Sequence, residues 1–426
     1  MNVVVLGLWH LGCVTAACCA EYLPVIGIDF DEEVVRNLRQ GRAPLFEPGL
    51  DELISRQLQA GTLSFTSDIR QSLRSADLLW VCYDTPVDEN DTADNDFVLQ
   101  RLERCLRYLP EGSIVLISSQ LPVGTCANLE AKYTELNLHF TYSPENLRLG
   151  NALETFRQRD RVIAGVRDDS PRAKLAQLFA PFAADRILWV RPESAEMTKH
   201  ATNVFLAVSV TFANELARLC EATGAQAYEL ERALRSDARI GPKAYIRPGA
   251  AFAGGTLARD VVTLTNVGQR SKREIPLINA VLVSNEVQKQ WPMCRLEATF
   301  PRLDEIRVAV LGLTYKPETD TLRRSASIEL CLRLLSRGCK VSCYDPVVKT
   351  LPDSLAAATL HLSLAEAIIG ADAIVIMTPW PEIIQADWIS LLQTKKDGTA
   401  IIDVNHAVSL PEDSLRKVRY LSLGTP

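Results

Sequence analysis

Apolar and polar positions fall in blocks along this chain. Val3 to Leu6 is a continuous apolar run, and a glycine turn follows from Gly7 to Gly12. A stretch of small and apolar residues, Cys13 to Glu21, then leads to a second apolar run, Val25 to Ile28, which ends at Asp29. Continuous apolar strands suit a parallel sheet covered on both faces, so the opening predicts a βαβ unit. Leu78–Cys82, Ile114–Ser118 and Arg161–Ala164 read as further strands, with helical periodicity between them. A helical pattern without Gly or Pro runs from Ser194 to Gly224, with Pro192 ahead of it as a boundary signal. The following segment, to about residue 295, reads as mostly helical and is interrupted by a loop from Gly241 to Gly255. A second βαβ pattern then begins: strand Val308–Leu311, helix Ile328–Arg337, strand Val341–Tyr344, and further strands at Ala373–Met377 and Ala400–Asp403. The two halves echo each other, VVVLGLWHLG against VAVLGLTYKP. The expected fold class is α/β. Two Rossmann-like doubly wound domains (1–193 and 301–426) are joined by a long helix and a helical middle domain (194–300).

Composition narrows the function classes. The 426 residues are 47% hydrophobic and 23% charged, which is globular composition and excludes a disordered chain or a disulfide-stapled miniature. A net charge of −6 argues against a nucleic-acid binder. The eleven cysteines include no CxxC and lie mostly in apolar runs, so they read as reduced core residues. The five histidines form no HxxxH or HExxH pair, and no metal site is expected. The N-terminus lacks a basic signal-peptide flank and the apolar runs are too short to span a bilayer. A cytoplasmic location without membrane contact is therefore the expectation.

Gly7-Leu8-Trp9-His10-Leu11-Gly12 occupies the place of a GxGxxG dinucleotide turn, between a strand and a helix. Asp29 closes the second strand, where an acid accepts hydrogen bonds from both adenosine ribose hydroxyls and repels a 2′-phosphate, as does Asp31. NAD is thus favoured over NADP. Trp9 stands where the middle glycine lets the backbone approach a pyrophosphate. An indole there must displace the phosphate or point elsewhere, while the helix N-terminus still offers its N–H groups.

Several further motifs follow in order: GRAPLFEPGL at Gly41–Leu50, Asp84-Thr85-Pro86, SSQLPVGT at Ser118–Thr125, and SPENLR at Ser143–Arg148. Then come AEMTKHATN at Ala195–Asn203, Asp237 with Arg239-Ile240-Gly241, Tyr315-Lys316-Pro317 with Asp320–Ser325, and Thr378-Pro379-Trp380. Together they resemble the UDP-glucose/GDP-mannose 6-dehydrogenase family over nearly the whole chain. The resemblance implies oxidation of the C6 alcohol of a nucleotide-activated hexose to a carboxylate with two NAD, often by a dimer formed through the middle domain. It assigns cofactor contacts to Gly7, Trp9, His10, Leu11, Gly12, Asp29, Thr85, Pro86, Ser119 and Gln120. It places Glu145, Asn146, Leu147, Arg148, Lys199 and Asn203 along the sugar. Arg239, Tyr245, Ile246, Gly249, Gly254, Lys316 and Arg323 belong to the rest of the substrate site, with Lys316 and Arg323 as diphosphate ligands. The sequence does not decide between UDP and GDP.

Where the family carries its catalytic cysteine in GYGGSCFPKD, this chain reads AFAGGTLARD, so Thr256 falls at the nucleophile and Asp260 is retained. The second oxidation requires a nucleophile to add to the aldehyde. A thiol with an ordinary pKa of ~8.5 is readily activated for this, and a threonine hydroxyl is not. The first oxidation needs only a proton acceptor and a donor for the developing alkoxide. By resemblance Lys199, Asn203 and Asp260 surround that oxygen, and Glu145 serves acid–base steps. The leading expectation is an NAD-dependent oxidation that stops at the aldehyde. Two alternatives stay open: a full four-electron dehydrogenase that hydrates the aldehyde, and a nucleotide-sugar-binding protein that has lost catalysis.

Overall fold

The computed structural model describes every residue except 89–92, 146, 148, 184–185, 254–255, 323 and 394–396. The chain divides into two compact units, Met1–Thr202 and Asn203–Pro426.

The first unit is built on eight strands: β1 (Val3–Leu6), β2 (Val25–Ile28), β3 (Leu63–Thr66), β4 (Leu78–Val81), β5 (Ile114–Ile117), β6 (His139–Tyr142), β7 (Val162–Gly165) and β8 (Ile187–Val190). Their order in the sheet is β3-β2-β1-β4-β5-β6-β7-β8. All neighbouring pairs are parallel except β6 and β7, which meet antiparallel at Tyr142 and Gly165. The order reverses between β1 and β4, and in open α/β sheets that switch point is where the carboxyl ends leave a ligand crevice. Val3, Val4, Val5 and Leu6 are at most 1% exposed, as a central parallel strand covered on both faces requires. Burying each such side chain contributes roughly 1.5–3 kcal/mol, an upper figure that the entropy of ordering the residue largely offsets.

The second unit carries a six-stranded parallel sheet: β9 (Arg307–Leu311), β10 (Lys340–Tyr344), β11 (Thr359–Leu360), β12 (Ala373–Ile376), β13 (Thr399–Asp403) and β14 (Val418–Ser422), in the order β11-β10-β9-β12-β13-β14. Helices Ala227–Ser236, Leu257–Arg270 and Pro276–Thr299 precede this sheet. Among the described residues no helix is long and apolar enough to cross a membrane.

The structure departs from the sequence pattern at two helix boundaries that matter here and in five strands. The first helix begins at His10 rather than Cys13, so Gly12 lies inside it. A Cβ on Gly12 would stand 1.7 Å from the Gly7 carbonyl oxygen, so only glycine lets the helix start this close to the strand. The long helix runs from Pro192 to Thr223, with Pro192 as its first residue, where the missing N–H has no partner to lose. Five strands were not expected: β3, β6, β8, β11 and β14. Four of these are the sheet edges.

Glu196, fully buried, ties the long helix to the start of helix Thr125–Lys132, which follows β5. Its carboxylate accepts from the backbone N–H of Gly124 at 2.5 Å and of Cys126 at 2.8 Å. Gly124 is the left-handed N-cap of helix Thr125–Lys132 and has no side chain to offer, so a remote carboxylate caps that helix. The Glu196 carboxyl sits above its ordinary value of 4.5, because burial penalises the charged form more than the two amides favour it. For a raised folded-state value, the stability from this group is complete below the unfolded value and is lost as pH rises through the folded one. Glu196→Gln should therefore flatten the pH dependence of the thermal midpoint from about pH 4.5 upward, whatever its offset. Parallel wild-type and variant profiles, followed by circular dichroism, would refute this.

Candidate functional site

In the first unit the site grows from the turn after β1. Gly7 donates to the Ile28 carbonyl at 2.9 Å, and the Leu8 N–H donates to Asp29 Oδ2 at 2.7 Å. Asp29 Oδ1 also accepts from the Asp31 N–H at 3.1 Å. Each carboxylate oxygen has two acceptor sites, so both remain able to take a ribose hydroxyl. Gly7 has a φ of +94°, and a Cβ there would lie 2.7 Å from the Tyr83 ring. The turn is thus a cradle that a side chain would fill.

Trp9, as N-cap of the first helix, adopts a φ of −88°, which any residue accepts, and its side chain is 46% exposed. The indole stands in solvent and does not fill the turn. That helix has no side-chain cap, so its first N–H groups suit a pyrophosphate. An NAD molecule fits these residues: an uncapped helix N-terminus, an open glycine turn and a strand-end acid. His10 Nε2 lies 2.9 Å from Glu47 Oε2, and Leu11 packs on the apolar core.

The loops after β4, β5 and β6 meet at the same edge of this sheet. Thr85 Oγ1 donates to the Gln120 carbonyl at 2.7 Å, and exposed Pro86 accepts from the Asp94 N–H at 2.8 Å. Ser118 donates to the Ser143 carbonyl at 2.6 Å and receives the Trp80 indole N–H at 2.9 Å. Ser119 is 1% exposed and its carbonyl accepts from Tyr142 Oη at 3.1 Å. Lys199 Nζ donates to the Glu145 carbonyl at 2.7 Å. The structure thus brings Lys199 and Glu145 together, through the backbone of Glu145. The Glu145 carboxylate is in a 2.6 Å ion contact with Arg159, and both side chains are at most 10% exposed. Arg159 also stacks on Phe156 at 4.0 Å. Leu147 packs on the first core, and Asn146 and Arg148 lie outside the described residues.

In the second unit, Asn203 on the long helix donates through Nδ2 to Asp260 Oδ2 at 2.5 Å, and both side chains are buried. Asp260 lies in the first turn of helix Leu257–Arg270, which it does not cap; Thr256, exposed, is the N-cap residue and makes no side-chain cap. Gly254 lies outside the described residues. The segment 249–252 is held by side-chain amides, of which Asn214, Asn285 and Gln288 are buried. Gly249 donates to Asn214 Oδ1 at 2.8 Å and accepts from Gln288 Nε2 at 2.9 Å. Ala250 donates to Asn405 Oδ1 at 3.0 Å, and Phe252 exchanges two bonds with Asn285 at 3.0 and 2.9 Å. A Cβ on Gly249 would approach Asn405 Oδ1 to 2.9 Å. Tyr245 is exposed and Ile246 half-buried at the start of this loop. Arg239 is also exposed and is engaged with Asp237 at 2.7 Å.

The turn after β9 repeats the first one. Gly312 donates to the Tyr344 carbonyl at 2.8 Å and Leu313 to Asp345 Oδ2 at 2.7 Å. Here, however, Asp345 is 4% exposed and also accepts from Thr314, Val347, Val348 and the Trp380 indole. This acid is saturated by protein donors, so the second sheet does not present a ribose acceptor as the first one does. Half-buried Lys316 has its Nζ 5.7 Å from the Tyr315 ring centroid, and Arg323 lies outside the described residues.

Sequence reasoning missed Arg159, the role of Glu47, and the amides Asn214, Asn285, Gln288 and Asn405. None carries a local signal, because each acts on backbone or charge far away in the chain. Asn405, two residues after the acid that ends β13, comes nearest to one.

Comparison with known proteins agrees with this layout. Family models of the UDP-glucose/GDP-mannose dehydrogenase family match in order: the NAD binding domain over residues 1–183, the central domain over 193–287 and the UDP binding domain over 309–409. A UDP-glucose 6-dehydrogenase of Pseudomonas aeruginosa is 34% identical over 407 residues, 91% of this chain and 90% of that protein. The solved structure of a UDP-glucose dehydrogenase from Pyrobaculum islandicum superposes with a TM-score of 0.86 at 29% identity, covering 100% of this chain and 98% of that one. A UDP-D-ManNAc dehydrogenase from Pyrococcus horikoshii gives 0.85 at 25% identity, with 100% and 99% covered. With all three domains matched in sequence order and a relative of this identity along its length, the chain belongs to the UDP-glucose/GDP-mannose dehydrogenase family of NAD-dependent nucleotide-sugar dehydrogenases.

Proposed function

We propose that the chain oxidises the C6 hydroxyl of a UDP-hexose once and releases the aldehyde. The observation that carries this reading is Thr256, an exposed threonine at the head of helix Leu257–Arg270, where the resemblance puts a nucleophilic thiol. All cysteines except Cys294 are buried. Burial pushes thiols such as Cys13, Cys126, Cys220 and Cys339 up, opposite to what a nucleophilic thiolate needs. Cys294 lies on a different helix, Pro276–Thr299.

NAD, when bound, accepts the hydride from C6. In this reading the chain's own groups handle the proton and the charge. Lys199, oriented by the Glu145 carbonyl, stabilises the developing alkoxide as a preorganised cation. Asn203 orients Asp260, which receives the hydroxyl proton directly or through water. Glu145 is a poor candidate to activate water for a second oxidation, because the Arg159 guanidinium already counters its charge. Lys316, Arg323 and the amide-held loop at Gly249 hold the nucleotide end in this reading.

A second copy of the chain is the partner we propose. Phe205, Phe212 and Leu219 on the long helix are 68%, 49% and 60% exposed. Their seven-residue spacing puts them on one stripe, a pattern that an identical stripe can cover.

Single turnover with UDP-glucose should yield one NADH per sugar, with the aldehyde trapped by a hydrazine reagent. Two NADH and a uronate would overturn the arrest. Thr256→Cys should gain the second equivalent. Lys199→Ala should lower kcat about 10²–10³-fold, with Lys199→Arg recovering part of the loss. In light scattering the wild type should run as a dimer and Phe205→Glu/Phe212→Glu as a monomer; equal masses would refute the stripe.

A further inference from the structure

Three donors from distant parts of the first unit converge on one buried carboxylate. Glu47 is 4% exposed. Its Oε2 accepts from His10 Nε2 at 2.9 Å and from the Gly150 N–H at 3.0 Å, and its Oε1 accepts from the Ala152 N–H at 2.8 Å. A carboxylate only accepts, so Nε2 is the ring nitrogen that carries the proton. The donors lie 37, 103 and 105 residues away, so no local pattern produces this arrangement.

The two ends of the clasp differ in kind. His10 opens the first helix, whose uncapped N-terminus suits an anion. Gly150 and Ala152 close the segment that begins after β6, and Ala152 starts helix Ala152–Arg157. The N-cap of that helix, Asn151, makes no side-chain cap, and Glu47 supplies the missing charge instead. The same segment is pinned earlier by Ser118 on the Ser143 carbonyl and by Lys199 on the Glu145 carbonyl. Its far end rests on Glu47.

We infer that Glu47 is a positioning residue that couples the dinucleotide turn to the segment 143–152, so that an anion fixing His10 at the helix N-terminus also orders the far end of that segment. The physical route is short. An anion on the backbone N–H groups of the first turn fixes His10, the imidazole fixes the carboxylate, and the carboxylate holds the amides of Gly150 and Ala152. A buried carboxylate that loses one of three donors loses compensation for its desolvation, so the contacts strengthen or weaken together. The consequence for catalysis rests on the functional reading of 143–149 as the sugar-lining segment: bound cofactor would steady one end of the sugar site.

The test is amide hydrogen exchange on the full chain with and without NAD, in the wild type, Glu47→Gln and His10→Phe. NAD should slow exchange across residues 149–155 by about fivefold or more in the wild type, and this slowing should vanish in both variants. A carboxylate that merely braces the fold would speed exchange equally with and without NAD and leave the NAD-induced factor intact. That result, or no slowing in the wild type, overturns the proposal. Should Glu47→Gln fail to fold, His10→Phe makes the same comparison at a side chain that is 12% exposed. Titration with UDP-glucose separates the two readings. Slowing by NAD without oxidation of UDP-glucose upholds the clasp and refutes the substrate assignment. A several-fold rise in the KM for UDP-glucose in His10→Phe, larger than its fall in kcat, supports both.

Discussion

Each half of the molecule depends on one hydrogen bond, from the backbone N–H that follows a strand-end glycine to the acid that ends the next strand. In the first unit it joins Leu8 to Asp29 and in the second Leu313 to Asp345, at 2.7 Å in both. The bond holds the glycine turn at the carboxyl edge of the sheet, at the switch of strand order, and in the first unit helix His10–Cys19 starts directly from it. What differs is how much of the acid remains. Asp29 keeps acceptor capacity, whereas Asp345 is consumed by Thr314, Val347, Val348 and Trp380. One local device has therefore become a dinucleotide turn in one sheet and a structural brace in the other.

Around these turns the chain places charges in its interior and compensates each with specific donors. Glu196 takes two helix-end amides, Glu47 takes two amides and an imidazole, Glu145 meets Arg159, and Asp260 takes Asn203. An unpaired buried carboxylate is costly, so each pairing fixes backbone in a place where propensity alone would leave it loose. The segment 143–152 shows the effect. Among its described residues none before Ala152 lies in a helix or strand, yet Ser118, Lys199 and Glu47 hold its backbone at successive points. The loop at 249–252 is held similarly by neutral amides, which immobilise backbone without adding charge.

The limits of sequence reading follow the same logic. Central strands such as Val3–Leu6 and Ala373–Ile376 are covered on both faces and appear as unbroken apolar runs. The edge strands β3, β8, β11 and β14 have a partner on one side only and carry a weaker apolar signal. Leu63-Ser64-Phe65-Thr66 alternates buried and less buried positions, and Leu188 is 54% exposed. The first helix began three residues early because the closing glycine of the turn packs on Gly7, a contact that pattern alone does not reveal.

The order of blocks, the glycine turns, the strand-end acids and the threonine at position 256 are properties of the chain read as a string, and they determined fold class, cofactor and family. They are legible because each is local: neighbours within a few residues specify a turn, a strand or a helix start. Tertiary structure alone decided that Trp9 stands in solvent, that Asp345 is saturated, that Arg159 meets Glu145 and that Glu47 joins His10 to Ala152. Those outcomes depend on which distant groups a buried carboxylate meets once the sheet has formed, and a charge can be compensated from any point in the sequence.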